Sequence, residues 1–531
     1  MLKPDPISFY EPGITFTRKE GLQSALATCD KHLRHMFWSS DNADGAQLIT
    51  QLTLSDIGVN GTTDITSPTA VGIDIIAQLQ PDGINNNAST NRTAYYWDEG
   101  YSGLKYANSI ITNLDKIQNI DSKLRNEMLG RAYFHRSYRY FYLIFQFKDI
   151  PLFTKEVEGP KFDYRSTKRE VILDMITSDM EYAVEHVPVI ADYGGMVTKG
   201  TCRQLLIKCY LAKGEFDKAI AQANELIDNS GYVLMTEPFG TFVDPMPEVH
   251  KVVRNIIWDL HRPENKAISA NKEVIHFTVN REESAASRIS VKSMRNAVPF
   301  WAGTAAYCIL APDGTANVMS AGILNNEYDY RKAYGRGVAR FRPTYHSQHG
   351  LWLDDPTDLR HSAEHGNWMT MEQLKYNNNS NSALVNSGYY GQNIRLYNDD
   401  GVLLCSDTIR SWFNWPHYKV WLESPQQEGA TSYEGGCADW YVYRLAETYL
   451  LRAEAYMWKG ELAKAAEDVN AIRRRARCSK LFTASEMTMG VVMDERAREL
   501  YYEEWRHLEL SRVSYIFAIT GKADEFGKTY T

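Results

Sequence analysis

The stretch YMWKGELAKAAEDV, Tyr456–Val469, has a second copy far upstream, YLAKGEFDKAIAQA, Tyr210–Ala223. Both copies place tyrosine, glycine and alanine at the same intervals, as Tyr210, Gly214 and Ala219 and as Tyr456, Gly460 and Ala465. Each glycine follows an amphipathic stretch, which predicts a left-handed residue that ends a helix. The alanines predict a second helix packed closely on the first. This pattern is typical of tetratricopeptide repeats, antiparallel helix pairs that stack on neighbours to bury their apolar faces.

The spacing of apolar residues changes twice along the chain. Residues 15–235 place apolar residues at helical spacing, residues 236–430 lose that period and are rich in Gly and Asn, and residues 431–531 regain it. We therefore predict a mainly α fold, a single domain over residues 1–531. In it, a tetratricopeptide-like helical scaffold is interrupted by a long irregular insertion.

Composition excludes several classes of protein. The net charge of −8 comes from dispersed residues without a basic stripe, which argues against a nucleic-acid partner. The most apolar run, YFYLIF (140–145), is far shorter than the ~18 residues of a membrane span, and the first residues lack the pattern of a secretory leader. The seven cysteines form no CxxC pair, and we expect free buried thiols.

Further segments follow one another in a recognisable order. They are WDEGYSGLKYAN (97–108), LGRAYFHRSYRYFYLIFQFKDIPLF (129–153), GMVTKGTCRQLLIKCYLAKGEFDKA (195–219), NKEVIHFTV (271–279), FRPTYHSQ (341–348) with Asp358–Leu359–Arg360, DWYVYRLAETYLLRAEAYM (439–457) and DERARELYYEEWRHLELSR (494–512). Together they resemble the SusD/RagB family of outer-membrane nutrient-binding lipoproteins of Bacteroidetes. The resemblance runs over nearly the whole chain.

The resemblance implies a non-catalytic cell-surface protein that captures an oligosaccharide or polysaccharide. It implies delivery of that glycan to a SusC-like TonB-dependent transporter in the outer membrane. It also implies a lipid anchor on a cysteine that precedes Met1, and no cofactor, while leaving a structural calcium ion open. The same scaffold capturing peptides or glycopeptides is the main alternative. A cytosolic tetratricopeptide adaptor is a further one, although the long insertion argues against it, because stacked repeats bury their faces on contiguous neighbours.

One motif suggests catalysis. His361, Glu364 and His365 match the HxxEH pattern of inverted zinc peptidases, which needs both histidines on one helical face, a third ligand and an activated water. The motif stands in a loop-rich stretch beside Asp358, so we expect ordinary polar contacts here. Other catalytic patterns, such as GxSxG or a phosphate-binding glycine loop, do not occur, and we expect no enzyme activity.

The ligand site is predicted from aromatic and polar residues outside the periodic helices. Sugar rings stack on aromatic faces, while their hydroxyls need polar side chains nearby. Trp440, Trp458 and Trp505 lie in predicted helices and are expected in the core. The resemblance adds the loop before the Trp97 helix, whose lack of aromatics argues against a starch-like ligand. The candidate set is Trp301, Phe300, Asp56, Asn60, Asp64, Arg92, Tyr95, Tyr96, Trp352, Trp368, Tyr389 and Tyr390.

Overall fold

The protein is mostly helical. The computed structural model describes residues 16, 18–38, 47–61, 92–157, 159, 163–244, 246–281, 289–301, 309–322, 324, 326–335, 337–422 and 433–531. The α-helices of these residues are α1 (Lys19–His32), α2 (Gln47–Thr53), α3 (Arg92–Asn113), α4 (Ser122–Phe147), α5 (Arg169–His186), α6 (Lys199–Ala212), α7 (Phe216–Asp228), α8 (Pro247–His250), α9 (Ile256–His261), α10 (Ser293–Asn296), α11 (Tyr330–Tyr334), α12 (Tyr345–Gln348), α13 (Ser382–Ser387), α14 (Thr408–Ser411), α15 (His417–Val420), α16 (Leu445–Lys459), α17 (Leu462–Arg475), α18 (Met489–Glu499) and α19 (Arg506–Thr520).

The strands are short and pair two by two in antiparallel fashion. They are β1 (Gly58–Asn60), β2 (Ile150–Pro151), β3 (Ser166–Thr167), β4 (Val274–Thr278), β5 (Phe341–Pro343), β6 (Trp368–Met369), β7 (Trp415–Pro416) and β8 (Trp440–Arg444). The pairs are β1 with β5, β2 with β3, β4 with β8 and β6 with β7. Three of these pairs join segments that are distant in sequence. The pairs β1–β5 and β4–β8 connect the irregular part of the chain to the regions before and after it, and β6–β7 lies within it.

The two predicted helix pairs are confirmed as the hairpins α6–α7 and α16–α17. Gly214 and Gly460 end the first helix of each with φ values of +74° and +76°. The backbone N–H groups of the next residues, Glu215 and Glu461, each donate to the tyrosine carbonyl five residues back over 2.9 Å. Only glycine adopts this backbone conformation without steric cost, which is why the pattern predicts the turn so well.

The hairpins stack on each other and on neighbouring helices. Helix α7 packs on α16 and α6 packs on α5, while α4 lies between α3 and α5. The rings of Phe216 and Trp458 stack across the junction between hairpins, with centroids 5.8 Å apart. Trp440, Trp458 and Trp505 are each 3% exposed, so the prediction that they lie in the core is confirmed. This stacking forms the rigid helical part of the molecule.

The middle of the chain is built differently. In its described part, between residues 247 and 422, no α-helix is longer than six residues. The run EVIHFTV forms β4, whose Val274 pairs with Arg444 just before α16. Strand β1 pairs with β5 through Gly58 and Pro343, which brings the early chain onto the insertion. The insertion therefore rests on the scaffold at several points.

A network of buried ion pairs holds the last helices in place. The charged run that begins at Glu495 has the spacing for pairs within its own helix, and Glu495 forms one with Arg498 over 2.9 Å. Most of its other pairs reach distant elements: Arg496 contacts Glu454 of α16 over 3.3 Å, and Glu499 accepts from Arg475 of α17. Burying such charges is favourable only when partners surround them, as they do here.

Two findings concern the described residues as a whole. Of the helices given above, none combines the length and hydropathy of a membrane span. Six cysteines are free thiols, and four of these are buried: Cys29, Cys202, Cys209 and Cys405. Burial raises the pKa of the Cys29 thiol to about 12, so this group stays protonated and unreactive at neutral pH.

Candidate functional site

A cavity of about 300 Å³ opens in the insertion, on one side of α11. Its lining combines tyrosine rings with carboxylate, amide and ammonium groups. The lining residues are Glu248, Val249, Lys251, Glu327, Tyr328, Tyr330, Tyr334, Ala363, Glu364, Met369, Gln373 and Lys375. This mixture of apolar faces and placed polar groups is typical of a small-ligand site.

Local hydrogen bonds fix the tyrosines of the cavity. Asp329 caps α11 by accepting from the backbone N–H of Lys332, which sets the start of the helix that carries Tyr330 and Tyr334. The Tyr330 hydroxyl accepts from the backbone N–H of Lys375 over 2.9 Å. The Tyr334 hydroxyl donates to the carbonyl oxygen of Val249 over 3.3 Å. Both rings are buried and form the wall of the cavity.

Tyr328 stands at the mouth of the cavity and is only partly buried. The Lys375 ammonium lies 5.6 Å from the centre of its ring, and the Tyr390 ring meets it edge-on with centroids 5.8 Å apart. A hydrogen bond with Glu327 raises the pKa of the Tyr328 hydroxyl, which therefore stays protonated at neutral pH. Glu364 and Gln373 are exposed beside it. An aromatic face is thus surrounded by donors and acceptors.

Tyr389 and Tyr390, both predicted for the site, lie next to this mouth. They follow a run rich in Asn, Ser and Gly, in which the structure shows helix α13, capped by Asn381, and then paired backbone. The backbone N–H of Gly391 donates to Tyr376 O, and that of Tyr376 donates to Gln392 O, each over 2.9 Å. These bonds hold the two tyrosines in place, because both sides of the turn are fixed. The pairing between distant backbone segments has no signature in local composition.

Trp301 is buried, in contrast to our expectation of an exposed platform. It is 2% exposed and stacks on Trp415 with centroids 6.2 Å apart. Phe300 beside it is half-buried, with the Arg410 guanidinium 4.4 Å from its ring centre. A platform must present a ring face, so the structure gives Trp301 a packing role.

Trp352 and Trp368 also pack inward, in one aromatic cluster with His361. The Trp352 ring is 6% exposed and Trp368 is 1% exposed, with centroids 5.5 Å apart. His361 stacks on Trp352 at 4.7 Å, and burial lowers the pKa of its imidazole to about 4. The expectation that these tryptophans contact a ligand is therefore corrected, since neither presents a free face.

The HxxEH motif does not form the geometry that zinc chemistry needs. His361 ends the short 3-10 helix Leu359–His361, and the chain then turns, so His365 does not share a helical face with it. His365 Nδ1 instead bonds the Ser362 hydroxyl over 2.8 Å. Among the residues that the structure describes, no group of three or more His, Cys, Asp or Glu side chains is arranged to hold a metal ion. The motif therefore lacks the arrangement of histidines on which the zinc-hydrolase alternative depends.

The predicted polar residues near the first strand lie apart from the cavity. Asp56 is held by Arg506, whose Nε and Nη2 donate to Oδ1 and Oδ2 over 2.8 and 2.6 Å. Partial burial opposes its ionisation, but this bidentate contact lowers the pKa of Asp56 below its usual value. Asn60 is half-buried in β1 opposite Phe341. Asp64 lies outside the described residues, as does the side chain of Arg92, so both stay predictions.

Tyr95 and Tyr96 pack into the helical scaffold. Tyr95 is 7% exposed and donates to the carbonyl oxygen of His35 over 3.1 Å. Tyr96 is 3% exposed and its ring lies 5.6 Å from that of Trp505. Their position near Trp97 suggested the site, but both rings are buried, Tyr95 at His35 and Tyr96 against Trp505.

The candidate set contains none of the residues that line the cavity, and its missing members include Tyr328, Tyr330 and Lys375. The run NNEYDYRKAY, 325–334, did contain a signal, because alternating tyrosines follow a polar stretch outside the long helices. The sequence around Lys375 carried no such signal, because the place of this residue at the cavity depends on backbone pairing with the segment around Asn393.

Two family comparisons match this chain. The family described as "SusD family" matches residues 273–531. The family described as "Starch-binding associating with outer membrane" matches residues 62–211. The two matches fall on separate parts of the chain and together cover most of it.

Curated relatives align over parts of the chain. The SusD-like protein P2 of Formosa agariphila is 25% identical over 241 residues, 45% of each chain. The starch-binding protein SusD of Bacteroides thetaiotaomicron is 33% identical over 164 residues, 31% of this chain and 27% of that protein. The aligned stretch therefore spans less than half of each of these relatives.

Solved structures share the fold over almost the entire chain. A laminarin-binding SusD-like protein superposes with a TM-score of 0.60 and 19% identity, covering 94% of this chain and 92% of that one. Surface glycan-binding protein A of Bacteroides thetaiotaomicron, in complex with laminarihexaose, gives a TM-score of 0.55 and 16% identity, covering 97% and 94%. At these identities the comparison establishes the fold.

Proposed function

Because this chain belongs to the SusD/RagB family, we propose that it is a non-catalytic surface protein that captures a glycan. The glycan passes to a SusC-like TonB-dependent transporter, and a lipid anchor holds the protein at the outer membrane. Relatives support the glycan as ligand, since two structures of the same fold are named for laminarin and laminarihexaose. The observation that carries the proposal is the cavity at Tyr328.

The cavity offers what a sugar ring needs. The partly exposed rings of Tyr328 and Tyr390 give apolar faces for the C–H side of a sugar. Gln373, Glu364 and Lys375 give acceptors and donors for its hydroxyls. Hydrogen bonds fix the backbone on both sides, so little conformational entropy is lost on binding. These features favour a shallow, preformed site of moderate affinity, from which a glycan can be released.

The position of the early chain also favours a ligand site in the insertion. Strand β1 pairs with β5, and the chain leaves β1 beside Ala339, where a Cβ on Gly61 would lie 2.6 Å from the Ala339 carbonyl oxygen. Ala339 follows α11, which forms the wall of the cavity. The described part of the early chain, which reaches Gly61, thus lies against the insertion.

The test is calorimetric titration of neutral oligosaccharides against the intact chain and its Tyr328→Ala variant. We expect at least one glycan to bind and the variant to bind it about three- to tenfold more weakly, the effect of losing one stacked ring. Tyr345→Ala is the matched control, because Tyr345 is 77% exposed and lies outside the cavity lining. An equal loss in both variants would place the site elsewhere. Binding of peptides in place of glycans would support the peptide-capture alternative.

A further inference from the structure

A second cleft lies on the helical scaffold, away from the cavity at Tyr328. The segment between β2 and β3 is described at residues 152–157, 159 and 163–165. The pairing of the two strands joins Ile150 with Thr167 and Pro151 with Ser166 at its base. These residues border two cavities of about 830 and 420 Å³, which share Phe153 and Tyr164, and α3 lines the smaller one. None of the described lining residues is shared with the cavity in the insertion.

The first half of this segment is firmly anchored. The Tyr140 hydroxyl donates to Phe153 O over 3.0 Å and accepts from Phe153 N–H over 2.6 Å, and Asn108 Nδ2 donates to the same carbonyl over 2.9 Å. The Glu156 carboxylate accepts from the Ser109 hydroxyl over 2.8 Å. These hydrogen bonds hold the first half of the segment against α3 and α4, so this side of the cleft is preorganised for a ligand.

Aromatic rings form one side of the cleft. Tyr101, Phe153 and Tyr164 follow one another edge-to-face, with centroid distances of 5.7 Å and 4.9 Å. Tyr164 is the outermost ring and is 44% exposed. An exposed tyrosine held on a partly buried aromatic partner gives a face on which a sugar ring can stack.

The charged side chains around these rings are mainly positive, and the positive ones are exposed to solvent. Lys105, Lys155 and Arg165 line the cleft, and within the described structure none of the three side chains makes an ion pair. Of the two acidic residues, Glu156 also accepts from Asn113 over 3.0 Å, so both of its oxygens face α3. Asp163 is exposed. A neutral ligand does not require three unpaired cations beside a ring face. Each cation attracts an anionic group, so the cleft favours an acidic ligand.

We propose that this cleft binds a saccharide that carries carboxylate or sulfate groups. The rings of Phe153 and Tyr164 take the apolar face of one sugar unit, and the ammonium and guanidinium groups pair with its acidic substituents. Arg165 suits either anion, because its planar guanidinium forms paired hydrogen bonds with carboxylate and sulfate oxygens. The proposal stands on these residues alone and does not depend on the function assigned to the cavity at Tyr328.

Calorimetric titration of the intact chain tests it with four probes. These are an oligogalacturonide, a chondroitin sulfate oligosaccharide, a neutral oligosaccharide of similar length and a poly-glutamate peptide. We expect one or both acidic saccharides to bind, with affinity that falls as salt is added, because exposed charges are screened. The oligogalacturonide and the sulfated probe separate a carboxylate ligand from a sulfate ligand.

Variants then assign the binding to the cleft. Tyr164→Ala should weaken it about three- to tenfold, and the combined Lys105→Ala, Lys155→Ala and Arg165→Ala variant about tenfold or more. Lys123→Ala, an exposed lysine of α4 outside the cleft, is the charge-matched control and should bind as the parent does. Tyr328→Ala should also leave this binding unchanged, which separates the two sites.

Several results would overturn the proposal. They are the absence of binding by both acidic saccharides, neutral-saccharide binding that the cleft variants weaken as strongly, or acidic-saccharide binding that the cleft variants leave unchanged. Poly-glutamate binding as tight as that of the saccharides would make the cleft a site for acidic peptides. Loss of neutral-glycan binding in Tyr328→Ala concerns the other cavity only.

Discussion

Hairpins α6–α7 and α16–α17 carry the same turn in different surroundings. In both, a lysine three residues after the turn glutamate pairs with it over 2.6 Å and lies over the tyrosine ring, at 5.2 Å in the first and 5.3 Å in the second. Yet α7 buries only Ala219, Ala223 and Leu226, whereas α17 also buries Asp468, Arg473 and Arg475. The turn is therefore encoded locally, while burial of charge depends on the neighbours of each hairpin.

The difference is clearest at the end of the second helix. Arg475 contacts Glu273 of the insertion over 3.3 Å and pairs with Glu499 of α18. The equivalent position in the first hairpin holds Asn229, which is exposed and bonds Glu225 within its own helix over 3.1 Å. The second hairpin thus connects the scaffold to the insertion, and the first ends at the surface.

The largest expected effect is the loss of a buried cation from the second hairpin. Arg475→Ala leaves Glu273 and Glu499 without one of their partners, and we expect the free energy of unfolding to fall by about 3–5 kcal/mol. Asn229→Ala, the matched change in the first hairpin, should cost less than about 0.5 kcal/mol. Denaturant unfolding of both variants measures the two values. Similar losses would remove the distinction between the hairpins.

Acid should loosen the second hairpin before the first. Burial alone would raise the pKa of Glu499, but Arg475, Arg444 and Arg360 lower it below its usual value. Its contribution to stability is therefore present above about pH 4.5 and is lost as the pH falls toward the depressed pKa of the folded state, roughly 2 kcal/mol for such a group. Hydrogen exchange at pH 6 and pH 3.5 should show a larger loss of protection in α17 than in α7. Equal losses would contradict this.

The turn glycines should behave alike. Gly214→Ala and Gly460→Ala each force a side chain into the left-handed region, where neither Cβ meets an atom closer than 3.9 Å. The cost is then backbone strain alone, about 1 kcal/mol in each case. Thermal or denaturant unfolding of the two variants should agree within about 0.5 kcal/mol. A clear difference would mean that the surroundings also determine the turn.

The smallest effect concerns the surface lysines of the same turns. Lys218→Ala and Lys464→Ala each remove a solvent-exposed ion pair and a contact with a tyrosine ring. We expect about 0.5 kcal/mol or less from each, because exposed pairs are screened by water. Parallel unfolding curves at low and high salt measure the effect, which should shrink in salt. A loss in one hairpin only would show that the turns differ in more than their surroundings.

The sequence predicted those features that depend on neighbouring residues. The hairpin turns and β4 follow from spacing and residue type, and Trp458 follows from its helical register. Trp301 and Asp56 could not be placed this way, because Trp415 buries the first and Arg506 holds the second across long sequence distances. Tyr390 was predicted beside the site, but its partner Tyr328 was not, since backbone pairing around Tyr376 brings them together.

The bond between Arg506 and Asp56 has a consequence for the order in which the molecule assembles. The two residues are 450 positions apart in the sequence. Closing such a long loop costs entropy that only many cooperating contacts offset, and contacts of this separation slow folding. The contact between Asp56 and Arg506 can therefore form only after α19 has been made. Any truncation that removes Arg506 should free the side chain of Asp56 at the far end of the polypeptide, while the pairing of β1 with β5 still holds the neighbouring backbone.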